Sequence, residues 1–373
     1  MTTRERFRLE QVFAALNCYL TGALENERPP CEVGGVCESR VVIERTIDFN
    51  RLRHMRCGAC SNEWPVDAVW LNGFDQGEEP CPECGTDCMS EDRPHFWTPQ
   101  GDPAYDDSAI RDLHWYHTST HSAWPDRDFD PSAYISSITK QRLQSIRQDG
   151  RSFERWAKRQ SAKALHVGTY EAAIENMFRR IRDQGDLEKQ FYLYRVRISA
   201  DAPIHPGVHH EASNWVGDVQ LSTAGGPDID VFRYVNTHED PSSVSLAVTI
   251  GAISAVQGIP VPVATDAAAS WTSEAAARMT AAARLPSPQP KTAVERMARN
   301  PPSALYLEAR KLERELAGTL PIRLRERFRV GLDEERLVVS PEAFIRKLAG
   351  MVQLVNDPQK VLALLNLQPW REL

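Results

Sequence analysis

Four cysteines stand in two Cys-x-x-Cys pairs, Cys57-Gly-Ala-Cys60 and Cys81-Pro-Glu-Cys84, with twenty residues between the pairs. A tight turn within each pair brings two thiolates to one ion. Two such turns complete a tetrahedral four-sulfur shell with metal–sulfur bonds of about 2.3 Å. Four thiolates leave no open coordination position, so the expected metal is a structural Zn2+ and not a catalytic one. Gly58 and Gly85 fall where the knuckle turns are expected to need unusual backbone angles. All eight cysteines precede Met89, and their spacing fits a reduced, metal-binding chain better than a secreted disulfide framework. Cys31, Cys37 and Cys88 would need a fourth partner such as His54 to form a second site; buried free thiols are the plainer expectation, and Cys18 is expected in the core.

A second group of chemically capable residues lies in three segments between 113 and 246. The first is Leu113-His-Trp-Tyr-His-Thr-Ser-Thr120, a strand ending in a polar cluster. The second is Ala164-Leu-His-Val-Gly-Thr-Tyr-Glu-Ala-Ala173, a strand running into a helix. The third, Asp230 to Leu246, is strand, polar turn, strand, with Asn236, Glu239 and Ser245 in and after the turn. A carboxylate flanked by imidazoles and hydroxyls can stabilise the positive charge that develops when a glycosidic bond breaks. Each residue also has a plainer role: His117 as a strand-end histidine, Glu239 as a solvated turn carboxylate beside Asp240, Tyr170 as a packing residue on a helix.

The elements that must position these groups follow from periodicity. Strands are expected at Leu113–Ser119, Ala164–Gly168, Gln190–Ser199, Val231–Asn236 and Val244–Ile250. Helices are expected at about Ser132–Ser161 and at Thr169–Ile181, with Thr169 as N-cap. The charge-free run Pro241–Thr265 reads as buried strands and turns, since its prolines and Gln257 argue against a membrane helix. Residues 5–25 and 266–283 have helical character, and Leu285–Thr292, LPSPQPKT, marks a boundary. Beyond it lie amphipathic helices such as Ser303–Ala317 and Pro341–Val355. The expected organisation is an N-terminal helical region at 1–50, a zinc module at 51–92, a mixed α and β domain at 105–265 and a C-terminal helical region at 293–373.

The stretch MRCGACSNEWPV…CPECG resembles small treble-clef or zinc-ribbon domains, which often accompany DNA-acting enzymes; that resemblance implies a nucleic-acid role. The three later segments resemble the ADP-ribosyltransferase superfamily, which includes diphtheria toxin and the poly-ADP-ribose polymerases. YHTST at 116–120 is similar to its first motif, LHVGTYEAA to its second, and RYVNTHEDPSSVSL to the Tyr-x-Asn…Glu…Ser third motif of phage and polyvalent bacterial transferases. Thr118 stands where that family commonly has glycine. The resemblance implies an α+β fold with a split β-sheet core and NAD+ as substrate. It implies Glu239 and His117 as catalytic residues, with His117, Thr118, Ser119, His166, Tyr170, Asn236 and Ser245 around the NAD+. His166 or Tyr170 would stack on the nicotinamide, while His121 and Trp124 would line the adenine side. RNA 2′-phosphotransferases share the fold but not the glutamate, so Glu239 favours transfer of ADP-ribose.

The acceptor implied is DNA, RNA or protein. An NAD+ glycohydrolase would use the same motifs, and a zinc-ribbon nucleic-acid-binding or structural protein on a non-catalytic fold is the reading from a different class. That last reading predicts no cavity joining His117, His166 and Glu239. Lys140–Lys163 carries eight basic and two acidic residues around Phe153 and Trp156, a stretch that could follow phosphates or be a solvated helix face. His205, His209, His210 and Glu211 read as a loop at the rim. The formal net charge of −7 gives no global attraction to nucleic acid, and the first ten residues lack a signal-peptide pattern. The chain is therefore expected to be cytoplasmic, without a membrane partner.

Overall fold

The computed structural model describes residues 42–134, 141, 152–184, 186–212, 218–263, 269–286, 302–328 and 334–373. The helix expected at 5–25, Cys18, Cys31, Cys37 and most of the 140–151 basic stretch lie outside the described residues. Val41–Leu373 form one compact unit.

Among the described residues the fold is α+β, with three small antiparallel sheets. The first sheet has the order β2-β1-β3, formed by β1 (Arg53–Cys57), β2 (Glu63–Val66) and β3 (Pro94–Phe96). Helix α1 (Ala68–Asp75) follows β2, capped by Asp67, which accepts from the Val69 and Trp70 amides. The apolar cluster here is small: Met55, Val66 and Leu71, edged by Trp64, Trp70, Phe74 and Phe96.

The second sheet has the order β10-β9-β6-β4, from β4 (Trp115–Ser119), β6 (Phe191–Ile198), β9 (Ile253–Val261) and β10 (Arg371–Glu372). The third has the order β5-β8-β7, from β5 (Leu165–Val167), β7 (Val231–Val235) and β8 (Val244–Val248). Strands β7 and β8 are buried at every position, which suits their Val-rich sequence. The two sheets meet where Tyr116 and Gly168 exchange backbone hydrogen bonds of 2.9 and 3.0 Å.

Helix α2 (Ser152–Ser161) precedes β5, and α3 (Tyr170–Asp183) follows it. Thr169 caps α3, its hydroxyl accepting from the Ala172 amide at 2.9 Å. One turn, α4 (Leu221–Ala224), leads into β7. The C-terminal part holds α5 (Ala269–Ala283), α6 (Ala304–Ala317), α7 (Ile322–Arg325), α8 (Glu334–Val339), α9 (Pro341–Asn356) and α10 (Pro358–Asn366).

These C-terminal helices share a core with the sheets. Leu312, Phe344 and Leu348 belong to the same buried cluster as Tyr116, Tyr170 and Phe178. Among the described residues no helix is long and apolar enough to cross a membrane.

Candidate metal centre and active site

The Sγ atoms of Cys57, Cys60, Cys81 and Cys84 all lie within 4.8 Å of one another. The Cys57–Cys84 and Cys60–Cys81 separations are 3.6 and 3.7 Å. A disulfide requires about 2.05 Å, whereas a tetrahedron with 2.3 Å bonds has edges of about 3.8 Å. The four thiols fit one metal ion, and structural Zn2+ suits an all-sulfur shell. Thr86 Oγ1 lies 3.2 Å from Cys84 Sγ and could donate to it once it is a thiolate.

Of the two knuckle glycines, only Gly85 has a left-handed φ, +72°. Gly58 is suited for a different reason: a Cβ there would stand 3.0 Å from the Asp92 carbonyl oxygen, a tight contact against backbone. In the first knuckle the left-handed residue is Ser61. Cys88 is buried and belongs to no metal-binding group among the described residues.

A separate cavity of about 250 Å³ opens between the second and third sheets and α3. It is lined by His117, Thr118, His166, Asn236, Glu239 and Ser245, drawn from all three sequence segments. The backbone explains the meeting. The Tyr116–Gly168 bridge sets β4 beside β5, so that His117 Nδ1 donates to the His166 carbonyl at 2.8 Å. Pairing of β5 with β8 then places His166 opposite Ala247, close to Ser245. Gly168 leaves room that a side chain would take: a Cβ would lie 2.8 Å from Ser245 Oγ and 3.0 Å from Ala172 Cβ, so a neighbour would have to shift.

The turn after β7 is organised by Asn236. Its Oδ1 accepts from the amides of His238 and Glu239 at 3.0 and 2.9 Å, and its Nδ2 donates to Ser245 Oγ at 3.0 Å. Glu239 is therefore fixed through its backbone, and its carboxylate pairs with Arg179 at 2.8 Å. Asp240, next in the chain, turns the other way. It is fully buried, accepts from Thr169 Oγ1 at 2.8 Å and pairs with Arg51 and Arg53 at 2.8 and 3.0 Å.

Burial keeps both imidazoles uncharged, lowering His117 to about 3 and His166 to about 4. His117 spends its Nδ1 proton on the His166 carbonyl, so its Nε2 carries a free lone pair. His166 Nδ1 is bonded to the Tyr234 hydroxyl at 2.8 Å, and its Nε2 has no hydrogen-bond partner among the described residues. His117 also stacks on Trp124, with centroids 4.1 Å apart.

The expected site residues separate into groups. Thr118 lines the cavity, but its hydroxyl is committed to the Ala173 carbonyl at 2.8 Å. Ser119 lines a neighbouring cavity of about 990 Å³ together with His121, Trp124, Arg127, Lys163 and Arg180. His117 borders both spaces. Tyr170 is the exception to the expected set. It lines neither cavity: its ring packs against Phe49 and Tyr116, and its hydroxyl donates to the Leu354 carbonyl at 2.8 Å. As the first residue of α3 it faces the core, so of the two candidate rings only His166 reaches the cavity.

The chain matches no family model, curated protein or solved structure.

Sequence reasoning missed Asn176, Arg179, Glu211 and Tyr234, all of which line the smaller cavity. A signal existed for three of them, since Tyr234 is the tyrosine of the Tyr-x-Asn motif. Ala172, Asn176 and Arg179 follow i, i+4, i+7 spacing, a small-then-polar face on α3. Glu211, read as part of a rim loop, accepts from the Thr237 amide at 3.0 Å and from its hydroxyl. His205 and His209 bond to each other at 2.8 Å, outside both cavities.

Proposed function

We propose that the protein is an NAD+-dependent ADP-ribosyltransferase on an ADP-ribosyltransferase-like split-sheet core, using the smaller cavity to cleave the nicotinamide–ribose bond. One observation carries this reading: a single cavity gathers His117, His166, Asn236, Glu239 and Ser245 from three separated segments. A binding or structural protein on a non-catalytic fold gives no reason for that convergence.

The chemistry suits the groups. As the C1′–N bond breaks, its electron pair neutralises the nicotinamide, and positive charge develops on the ribose. Glu239, held by Arg179 and by the Asn236 turn, is the carboxylate that accepts from the ribose 2′-hydroxyl, an interaction that strengthens in the transition state. His117 Nε2 accepts from a ribose hydroxyl, because its other nitrogen is already a donor to protein. His166 is the ring beside the nicotinamide. Two neutral imidazoles suit a cationic nicotinamidium, which protonated ones would repel. The larger cavity, with Trp124, Arg127, Lys163 and Arg180, offers aromatic and cationic contacts for the adenosine and phosphate portion. The acceptor attacks C1′ and gives its proton to Glu239 or to solvent. With water as acceptor, the same groups make an NAD+ glycohydrolase.

The test is turnover of labelled NAD+ by the purified full chain, with protein, DNA and RNA pools supplied separately. Wild type is expected to release nicotinamide. Glu239→Gln is expected to lose about 100-fold or more in kcat while melting within about 2 °C of wild type. Turnover unchanged in Glu239→Gln sinks the assignment.

A further inference from the structure

The turn that bears Glu239 is gripped from outside by the cysteine module. Ser242 sits at φ +68° and is buried. Its Oγ donates to the His54 carbonyl at 2.9 Å and accepts from the His54 amide at 2.8 Å. Thr98 Oγ1 donates to the Ser242 carbonyl at 2.9 Å. Arg51 donates to Asp240 and to the Pro241 carbonyl at 2.8 and 2.9 Å, and Arg53 pairs with the same Asp240 carboxylate.

These contacts converge on β1. Arg53 and His54 begin that strand, and Cys57, one of the four thiols, ends it. Thr98 lies just beyond β3, which pairs with β1 at Cys57↔Pro94. One five-residue strand thus touches the Glu239 turn at one end and carries a thiol of the four-cysteine cluster at the other. The module's own apolar cluster is small, so a metal held by the four thiols would add a cross-link that keeps β1 and β3 in register.

We propose that the metal-bound cysteine module is a positioning element for Glu239, with Ser242 as the residue through which β1 fixes the turn. The inference rests on the transferase reading of the cavity. Metal binding orders β1 and β3, β1 holds residues 240–242, and that segment sets where the Glu239 carboxylate stands. The module therefore acts on the transition-state interaction more than on NAD+ binding.

The experiment uses the full chain, stripped with a chelator and reductant and reloaded with Zn2+ or with Co2+, whose thiolate charge-transfer absorption reports four-sulfur coordination. Amide hydrogen exchange is followed across 236–243 and, as internal control, across β6. Stripping is expected to speed exchange in 236–243 by about tenfold while β6 stays protected, the effect of losing hydrogen bonds worth a factor of about ten. The same step is expected to lower kcat by about tenfold with KM for NAD+ within about twofold, and Zn2+ is expected to restore both. Ser242→Gly keeps the left-handed backbone and deletes both hydroxyl bonds. It is expected to bind Co2+ normally, to show the lower kcat already, and to lose little more on stripping. The proposal is overturned by exchange in 236–243 that ignores metal loss, or by β6 opening equally, which makes the module a general scaffold. If wild type never cleaves NAD+, the transferase reading fails on its own, while the exchange arm still decides whether the module holds the turn.

Discussion

Replacing Asp240 by Asn removes one charge from a site where the structure allows the cost to be worked out. The carboxylate is fully buried and has three partners: Arg51 at 2.8 Å, Arg53 at 3.0 Å and the Thr169 hydroxyl at 2.8 Å. Thr169 Oγ1 already accepts from the Ala172 amide, so its proton must go to Asp240. An amide nitrogen in place of Oδ2 leaves that proton facing another donor. Breaking a buried ion pair by neutralising one member costs about 3–5 kcal/mol. Arg51 is about a quarter exposed, so its share is screened and the lower half of that range, about 3–4 kcal/mol, is expected. For a cooperative unit of this size, about 2 °C per kcal/mol gives a fall of roughly 6–8 °C in Tm.

Burial alone would raise the Asp240 pKa, but the charges of Arg51 and Arg53 and the Thr169 hydrogen bond outweigh it and hold the group below the ordinary carboxylate range. The wild-type advantage is therefore complete above the unfolded-state value, about 3.9, and shrinks as pH falls through the lower folded value. Urea unfolding of both proteins from pH 7 to pH 2 measures it. A loss below about 1 kcal/mol at pH 7 would refute the reasoning, as would a difference that persists undiminished to pH 2.

Tyr170→Phe should cost about 1 kcal/mol through the Leu354 hydrogen bond and leave the Kd for NAD+ unchanged, whereas His166→Ala should weaken NAD+ binding; calorimetry separates the two. Burial and the Asp240 charge raise Glu171 to about 7, so the fold holds a proton that the unfolded chain releases near 4.3. That contribution is complete at low pH and is lost as pH rises through about 7; Glu171→Gln should flatten the decline in urea midpoint between pH 5 and pH 8. Gly168→Ala forces a methyl group against Ser245 and Ala172, at a cost of about 1–3 kcal/mol, and should reduce kcat by about tenfold or more through the displaced Ser245–Asn236 pair; a melting curve beside the NAD+ assay checks both.

Much of the architecture was legible because it is locally encoded. The five expected strands are present within two residues at each end, since alternation or unbroken Val-rich runs mark their burial. Thr169 announces its helix by a capping chemistry that needs no tertiary partner. The four thiols are equally legible, because the paired spacing foretold that their Sγ atoms would cluster within 4.8 Å of one another. What stayed hidden is long-range. Ser242 and His54 are 188 residues apart, and nothing in either sequence neighbourhood names the other. Asp240 and Glu239 are indistinguishable as letters, yet one is buried under two arginines and the other lines a cavity. Tyr170 sits one position past a cap, and only the packing of Phe49 and Tyr116 decides which way its ring turns. The amphipathic C-terminal helices disclose an apolar face but not that α3 shares their core.

His117 forms a wall common to the small and the large cavity, stacked on Trp124, which lines the larger one. A dinucleotide occupying both must bend across that imidazole, with each end in its own compartment. The two ends then behave as tethered fragments, each raising the effective concentration of the other. Nicotinamide and an adenosine phosphate added as separate molecules should occupy the protein together without competing, and each alone should bind far more weakly than the linked pair.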